Sequence, residues 1–154
     1  MKKKLILLIL ICIFAKASTL KIDDKISSFS LPNQFDKIHT INGETSKIIV
    51  TSEKENIELI NDFLSSKNSD FLDKNHTVFI DNISKVSSLI VKMFIIPKLR
   101  EYNYDILLIH NESSKRFLEK ENKISVYIIE NAKVKDIKYI SSKKELERVL
   151  NDTF

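Results

Sequence analysis

A chain of 154 residues suffices for one domain with a proper core and not for two. It carries 25 basic against 21 acidic residues, but four of the basic ones (Lys2, Lys3, Lys4 and Lys16) and the single cysteine, Cys12, fall within the first 17 positions. Without that stretch the chain is formally neutral and has no cysteine. This excludes disulfides, thiol chemistry and thiolate metal ligands, and leaves no basic excess that would point to nucleic acid or anionic lipid.

Met1-Lys2-Lys3-Lys4, the ten apolar residues from Leu5 to Phe14, and Ala15-Lys16-Ala17 have the charged, apolar and small-residue parts of a secretory signal peptide. Cleavage is expected after Ala17. An uncleaved anchor is the alternative, but the run is about half of the roughly 20 residues that span a bilayer. Ile11 is too bulky for the position before a lipoprotein cysteine. The expectation is therefore a leader at 1–17 and a single exported domain at 18–154, in the periplasm or outside the cell, with no further stretch able to insert in a membrane. The Lys-, Ile-, Asn- and Ser-rich usage reflects an AT-rich bacterial genome.

From Ser18 to Ile41 the pattern predicts a hairpin-like opening: a strand over Ile26–Leu31, a turn at Pro32–Lys37 and a return through Ile38–Ile41. Asn42-Gly43-Glu44 is a turn. Ile48-Ile49-Val50 is a short β-branched run suited to a strand covered on both faces. Ser52 and Glu55 have the spacing of a capping box opening a helix to about Ser65, with Ile57, Ile60, Leu64, Leu59 and Phe63 on its apolar face. After a polar loop with a turn of helix at Phe71-Leu72, a second strand covers Val78–Ile80 and ends at Asp81-Asn82.

The next helix shows Val86, Leu89, Ile90, Met93 and Phe94 at the spacing of a core-facing stripe, stopped by Pro97. A third strand covers Ile106–Ile109. The charged connection from Glu112 to Lys123 has Phe117 and Leu118 directed inward. Strands at Ile124–Ile129 and Val134–Ile140 follow, joined by Glu130–Lys133, and the second alternates like a half-exposed edge. Ser142 and Glu145 form another capping box, before a helix with Leu146, Val149 and Leu150 inward. Strands separated by helices predict parallel neighbours with helices on both faces, and the closing hairpin makes the sheet mixed.

Phe29-Ser30-Leu31-Pro32-Asn33-Gln34-Phe35-Asp36-Lys37 resembles the aromatic-x-Leu-x-Asp turn that precedes the central strand in the peroxiredoxin and thiol-reductase branch of the thioredoxin fold. Ile106–Asn111 resembles the strand before that branch's final hairpin. Val126–Val134 resembles the hairpin itself, with Ala132 where glycine is typical. The resemblance spans about Ile22 to Leu150 and implies a thioredoxin-like three-layer α/β/α sandwich with a mixed central sheet and an N-terminal hairpin. The family's Cys-x-x-Cys, or its single peroxidatic cysteine, would fall at Ser52-Glu53-Lys54-Glu55-Asn56. Its cis-proline would fall near Lys123–Ser125, where there is no proline. The chain thus resembles cysteine-less periplasmic members such as the YtfJ type, and neither the redox activity nor the substrate clamp is carried over by the resemblance.

The remaining candidates weigh toward structural roles. His39, His76 and His110 lack ligand spacing, so no metal is expected. Ser52 reads as a cap rather than a nucleophile, and Glu53 and Glu55 would repel an anion from the same helix end. Asp81, at the carboxyl end of a strand, is the carboxylate best placed to meet a ligand, against a capping or loop role. Tyr102 and Tyr104 read as packing, Lys115-Arg116 and Lys143-Lys144 as solvated pairs, and Asn75-His76-Thr77 as a chance sequon. No catalytic, cofactor-binding or metal-binding residue is assigned. The expected function is a non-catalytic adaptor that meets a protein or peptide at the edge Val134–Ile140 or near Ser52. The alternative is an oxidoreductase or redox accessory that depends on a bound cofactor such as flavin, for which a chain with one glycine supplies no Gly-rich loop.

Overall fold

The computed structural model describes residues 18–110 and 115–152, so the expected leader at 1–17 lies outside the described residues. Two antiparallel strands, β1 (Phe29–Pro32) and β2 (Ile38–Ile41), form the opening hairpin. Its turn is built by Asn33, whose Oδ1 accepts the N–H groups of Phe35 and Lys37, each at 2.9 Å. Asp36 supplies the left-handed backbone the reversal needs, with φ 61°.

The central sheet contains β3 (Lys47–Thr51), β4 (Thr77–Asn82), β5 (Leu107–Ile109), β6 (Ile124–Glu130) and β7 (Lys133–Ile140), in the order β5-β4-β3-β6-β7. β3, β4 and β5 are parallel, whereas β6 runs antiparallel to β3, and β7 to β6. β3 is central and all five of its residues are buried, as its unbroken apolar core of Ile48-Ile49-Val50 requires.

The helices are α1 (Lys54–Leu64), α2 (Phe71–Lys74), α3 (Ser88–Ile90), α4 (Ile96–Leu99) and α5 (Lys143–Asn151). Between α3 and α4 the chain makes a π-helical turn, Val91–Ile95, in which the N–H of Ile96 reaches the carbonyl of Val91. Steps from β3 to β4 and from β4 to β5 move the same way across the sheet. Right-handed crossovers therefore put both connecting helical segments on one face. There Ile60, Phe63, Val91, Leu99, Leu146 and Leu150 pack on Ile49, Phe79 and Val126. The outer layer on the opposite face comes from the opening segment and the β5–β6 connection, where Leu20, Ile26, Leu31, Ile41 and Phe117 cover Ile48, Val50, Ile80 and Tyr127.

Four details depart from the sequence expectations. The sequence pattern predicts helices on both faces, but among the described residues α1, α2, α4 and α5 all pack on the face of Ile49 and Phe79, because both crossovers run the same way across the sheet and leave the other face to the opening segment and the β5–β6 connection. The helix before β5 turns the other way: Leu89, Ile90, Met93 and Phe94 are exposed, whereas Val91 and Leu99 are buried with Val86, Ile95 and Ile96 against them. Pro97 does not end this helix but sits in the first turn of α4, directly after the π turn. A proline collides with the carbonyl four residues back in a regular α-helix, and the extra residue of the π turn lets the helix continue past it. Leu118 is exposed while Phe117 is buried.

Candidate functional site

The site forms where β3 and β4 end side by side. Thr51 and Asp81 are paired in register, two residues beyond Ile49 and Phe79, so both face the helical layer. The Thr51 hydroxyl accepts the backbone N–H of Glu53 at 3.3 Å and the Asn56 amide at 3.1 Å. α1 therefore starts one residue later than a Ser52 cap would place it. Glu53 holds the cap position with extended backbone, and no side chain caps the helix. The expected Ser52–Glu55 capping box is absent: Thr51, fixed in β3, accepts the Glu53 N–H, and the cap position falls on Glu53 rather than Ser52. The second box does form: the Ser142 hydroxyl accepts the Glu145 N–H at 3.3 Å. The Glu145 carboxylate in turn accepts the N–H of Ser141 at 3.0 Å, and that backbone bond holds it below the usual carboxylate range.

The connection before β6 is fastened to this junction. Glu53 Oε1 accepts the N–H of Asn122 at 2.8 Å, and Asn82 Nδ2 donates to Glu119 Oε2 at 2.7 Å. Asn122 has a left-handed backbone, φ 58°, which aims its amide across the gap.

Under α1 and the π turn lies a cavity of about 520 Å³, lined by Ser52, Ile57, Asp81, Ile83, Phe94, Tyr102 and further residues of the same helices. Most of its wall is apolar. Lys54, Glu58 and Lys98 line it as well, with both lysines within 3.7 Å of the Glu58 carboxylate. Asp81 is 2 % exposed, and its Oδ2 has no hydrogen-bond partner. Burial, with a smaller contribution from the nearby Glu119 carboxylate, raises its pKa to about 7. Of the residues weighed from sequence, the structure thus brings together Ser52, Asp81 and Tyr102.

The others are elsewhere. Tyr104 stacks on Tyr102, with ring centroids 5.6 Å apart, and donates from its buried hydroxyl to Asn61 at 2.9 Å. His39 pairs with Asp105 at 3.1 Å beside the hairpin, His76 lies in the turn before β4, and His110 lines a second cavity on the far flank of the π-containing helix. Among the described residues no His, Cys, Asp and Glu cluster of three could hold a metal ion. Arg116 is not a solvated charge: it is half-buried, 4.3 Å over the Phe29 ring. Lys143 pairs with Asp62 at 2.7 Å. Asn75 donates to the Phe71 carbonyl at 2.7 Å as the cap that ends α2.

No family model matches the sequence, and no curated protein is similar to it. The architecture has relatives. The thioredoxin domain of a thiol-disulfide oxidoreductase from Bacteroides vulgatus superposes with a TM-score of 0.53 at 10 % identity, over 86 % of this chain and 100 % of that one. Peroxidoxin BcpB from Mycobacterium tuberculosis gives 0.52 at 13 % identity, over 85 % and 94 %. A peroxiredoxin-like protein from Aquifex aeolicus gives 0.52 at 12 %, over 88 % and 87 %. The fold is thioredoxin-like. At these identities the likeness is one of fold alone. On this thioredoxin-like scaffold the β3–α1 junction reads Ser52-Glu53-Lys54-Glu55-Asn56, and the only cysteine of the sequence is Cys12.

The exposed apolar surface was missed from sequence, although its residues were singled out. Leu89, Ile90, Met93 and Phe94 are between 47 % and 66 % exposed, and Phe94 also lines the cavity. A usable signal was present: between Asn82 and Glu101 there are four basic residues, Lys85, Lys92, Lys98 and Arg100, and no acidic one. A segment apolar all round, with charge of one sign, leaves one face to be covered by something else.

Proposed function

We propose that this is an exported, non-catalytic protein-binding domain that engages an apolar segment flanked by acidic residues. The observation that carries the reading is the exposed row Leu89, Ile90, Met93 and Phe94, which borders a cavity and lies on a segment with only basic charges. The second cavity on the other flank of the same helix, about 430 Å³, is lined by Lys92, Arg100 and His110 as well as Asp36, which suits carboxylates beside an apolar anchor. Export rests on the signal-peptide pattern of residues 1–17. The absence of cysteine beyond Cys12 supports a binding rather than a thiol-exchange role at the β3–α1 junction. A concave surface beside the row favours an inserted side chain over a flat bilayer.

A displayed library of random peptides about 12 residues long, panned against the purified protein, tests this reading. Apolar–acidic sequences are expected to be enriched on the wild type and lost on a Leu89→Ser/Met93→Ser variant, since anchors of this kind carry most of the binding energy. Enrichment that survives the double substitution overturns the reading. So does binding only to vesicles of anionic lipid.

β7 is the second surface suited to a peptide. It forms one edge of the sheet, but its start is already used: Asp23 and Asp24 exchange backbone hydrogen bonds with Val134 at 2.8 and 2.9 Å. Strand addition there is therefore confined to residues beyond Val134.

A further inference from the structure

The protein-binding reading concerns the outer surface and leaves the floor of the cavity beneath it without a role. The geometry points to a small-molecule site in that cavity, taking a neutral apolar molecule that carries one hydroxyl, an alcohol or a phenol, which donates to Asp81 Oδ2. Three features meet here. The cavity, at about 520 Å³, lies within the range of roughly 300–1,000 Å³ typical of small-ligand pockets. Its wall is supplied by Ile57, Ile83, Val86, Phe94, Ile95 and Leu99, so that most of a ligand's surface would meet hydrocarbon or ring atoms. Asp81 is among its lining residues, and the Oδ2 of that side chain is buried and without a partner, in a protein interior where such atoms are almost always satisfied.

The chemistry of the ligand follows from what surrounds that oxygen. A hydroxyl both donates and accepts, so it satisfies Oδ2 whether the carboxyl is ionised or protonated, whereas an apolar acceptor such as a ketone or ether leaves the ionised form unsatisfied. A carboxylate or phosphate ligand would bring negative charge to a site already facing Asp81 and Glu119. An ammonium would carry a full charge past Lys54 and Lys98 into an apolar cavity, at a desolvation cost that a hydroxyl does not incur. Tyr102 lines the same cavity and could stack on a ring, as it does on Tyr104.

Calorimetric titration of the full protein with two probes of matched shape, 4-butylphenol and butylbenzene, tests the site, with amide chemical shifts locating it. The phenol is expected to bind at least about tenfold more tightly, the size of one hydrogen bond to a charged or buried acceptor. Shifts should appear at Ile57, Ile83 and Tyr102. Asp81→Leu should erase the preference and leave butylbenzene binding equal or tighter, and Ser52→Ala should keep the preference. Should the leucine variant not fold, Asp81→Asn keeps the shape and is expected to reduce the preference by about threefold, a neutral acceptor being the weaker one. Equal binding of the two probes, no binding of either, a preference that survives both Asp81 substitutions, or tighter binding of butylammonium than of 4-butylphenol each overturns the proposal. The Leu89→Ser/Met93→Ser variant should bind both probes as the wild type does. Failure of the protein-binding reading is thereby separated from failure of this one.

Discussion

The Glu53 carboxylate accepts the backbone N–H of Asn122 across the end of the sheet, Oε1 to N 2.8 Å. This bond ties the cap residue of α1 to the connection before β6, the two segments that flank the cavity's end of the fold. Replacing Glu53 with alanine removes the acceptor. The expected cost is about 1 kcal/mol, concentrated locally, so native-state hydrogen exchange of the Asn122 amide should accelerate by roughly fivefold while the core of β3 is unaffected. Uniform acceleration across the sheet would contradict a local tie.

Gln34 connects the hairpin to the sheet. Its side chain is 1 % exposed, donates to the Tyr104 carbonyl at 2.8 Å, and accepts the Ile106 N–H at 2.8 Å. Gln34→Ala leaves both backbone groups without their partner in the interior, and a loss of about 3 kcal/mol is expected in urea unfolding. Arg100, which donates to the Gln34 carbonyl at 2.8 Å, is bound to the backbone and should not rescue the variant.

The β6–β7 turn places Asn131 and Ala132 in the left-handed region, at φ 52° and 59°. Ala132→Gly should therefore stabilise the protein by about 0.5–1 kcal/mol, because glycine adopts this backbone without steric cost. A Cβ added at Gly43 would stand 2.7 Å from the Ala132 Cβ. Gly43→Ala should destabilise by about 1 kcal/mol or more, and by less in the Ala132→Gly background. A double-mutant cycle of thermal melts reads this coupling, and strict additivity would show that the two positions do not touch.

Asp81 makes stability depend on pH with a definite sign. Its pKa is raised from 3.8 to about 7, so the folded state binds the proton more tightly than the unfolded chain does. The stabilisation is complete below about pH 4 and is lost as pH rises through about 7. A shift of this size corresponds to at most about 4 kcal/mol. The charged groups facing Asp81 are Glu119, which adds to the shift, and Lys54, Glu58 and Lys98, which share its cavity. Asp81→Asn fixes a neutral group in place. Urea unfolding should find the variant equal to the wild type near pH 4 and more stable by 1 kcal/mol or more at pH 8, in line with the linkage. A pH-independent difference would show that Asp81 does not titrate in this range.

What the sequence determined by itself is local. The β-branched run Ile48-Ile49-Val50 suits a covered strand, Ser142 and Glu145 sit three apart and cap α5, and the order of strands and helices leads to this mixed sheet. The lack of a thiol at Ser52–Asn56 is likewise a fact of sequence. Tertiary structure alone decided which face of the segment from Ile83 to Leu99 is buried. Two apolar stripes run along it, Leu89, Ile90, Met93 and Phe94 on one side and Val86, Val91, Ile95 and Leu99 on the other. Periodicity cannot choose between two apolar faces, and the π turn before Pro97 breaks the 3.6-residue register on which such a choice would rest. Docking on β4 and β5 made the choice. It left the first stripe in solvent, and it set Asp81, a polar residue at the end of a strand, at the floor of an apolar cavity that no spacing in the chain foretells.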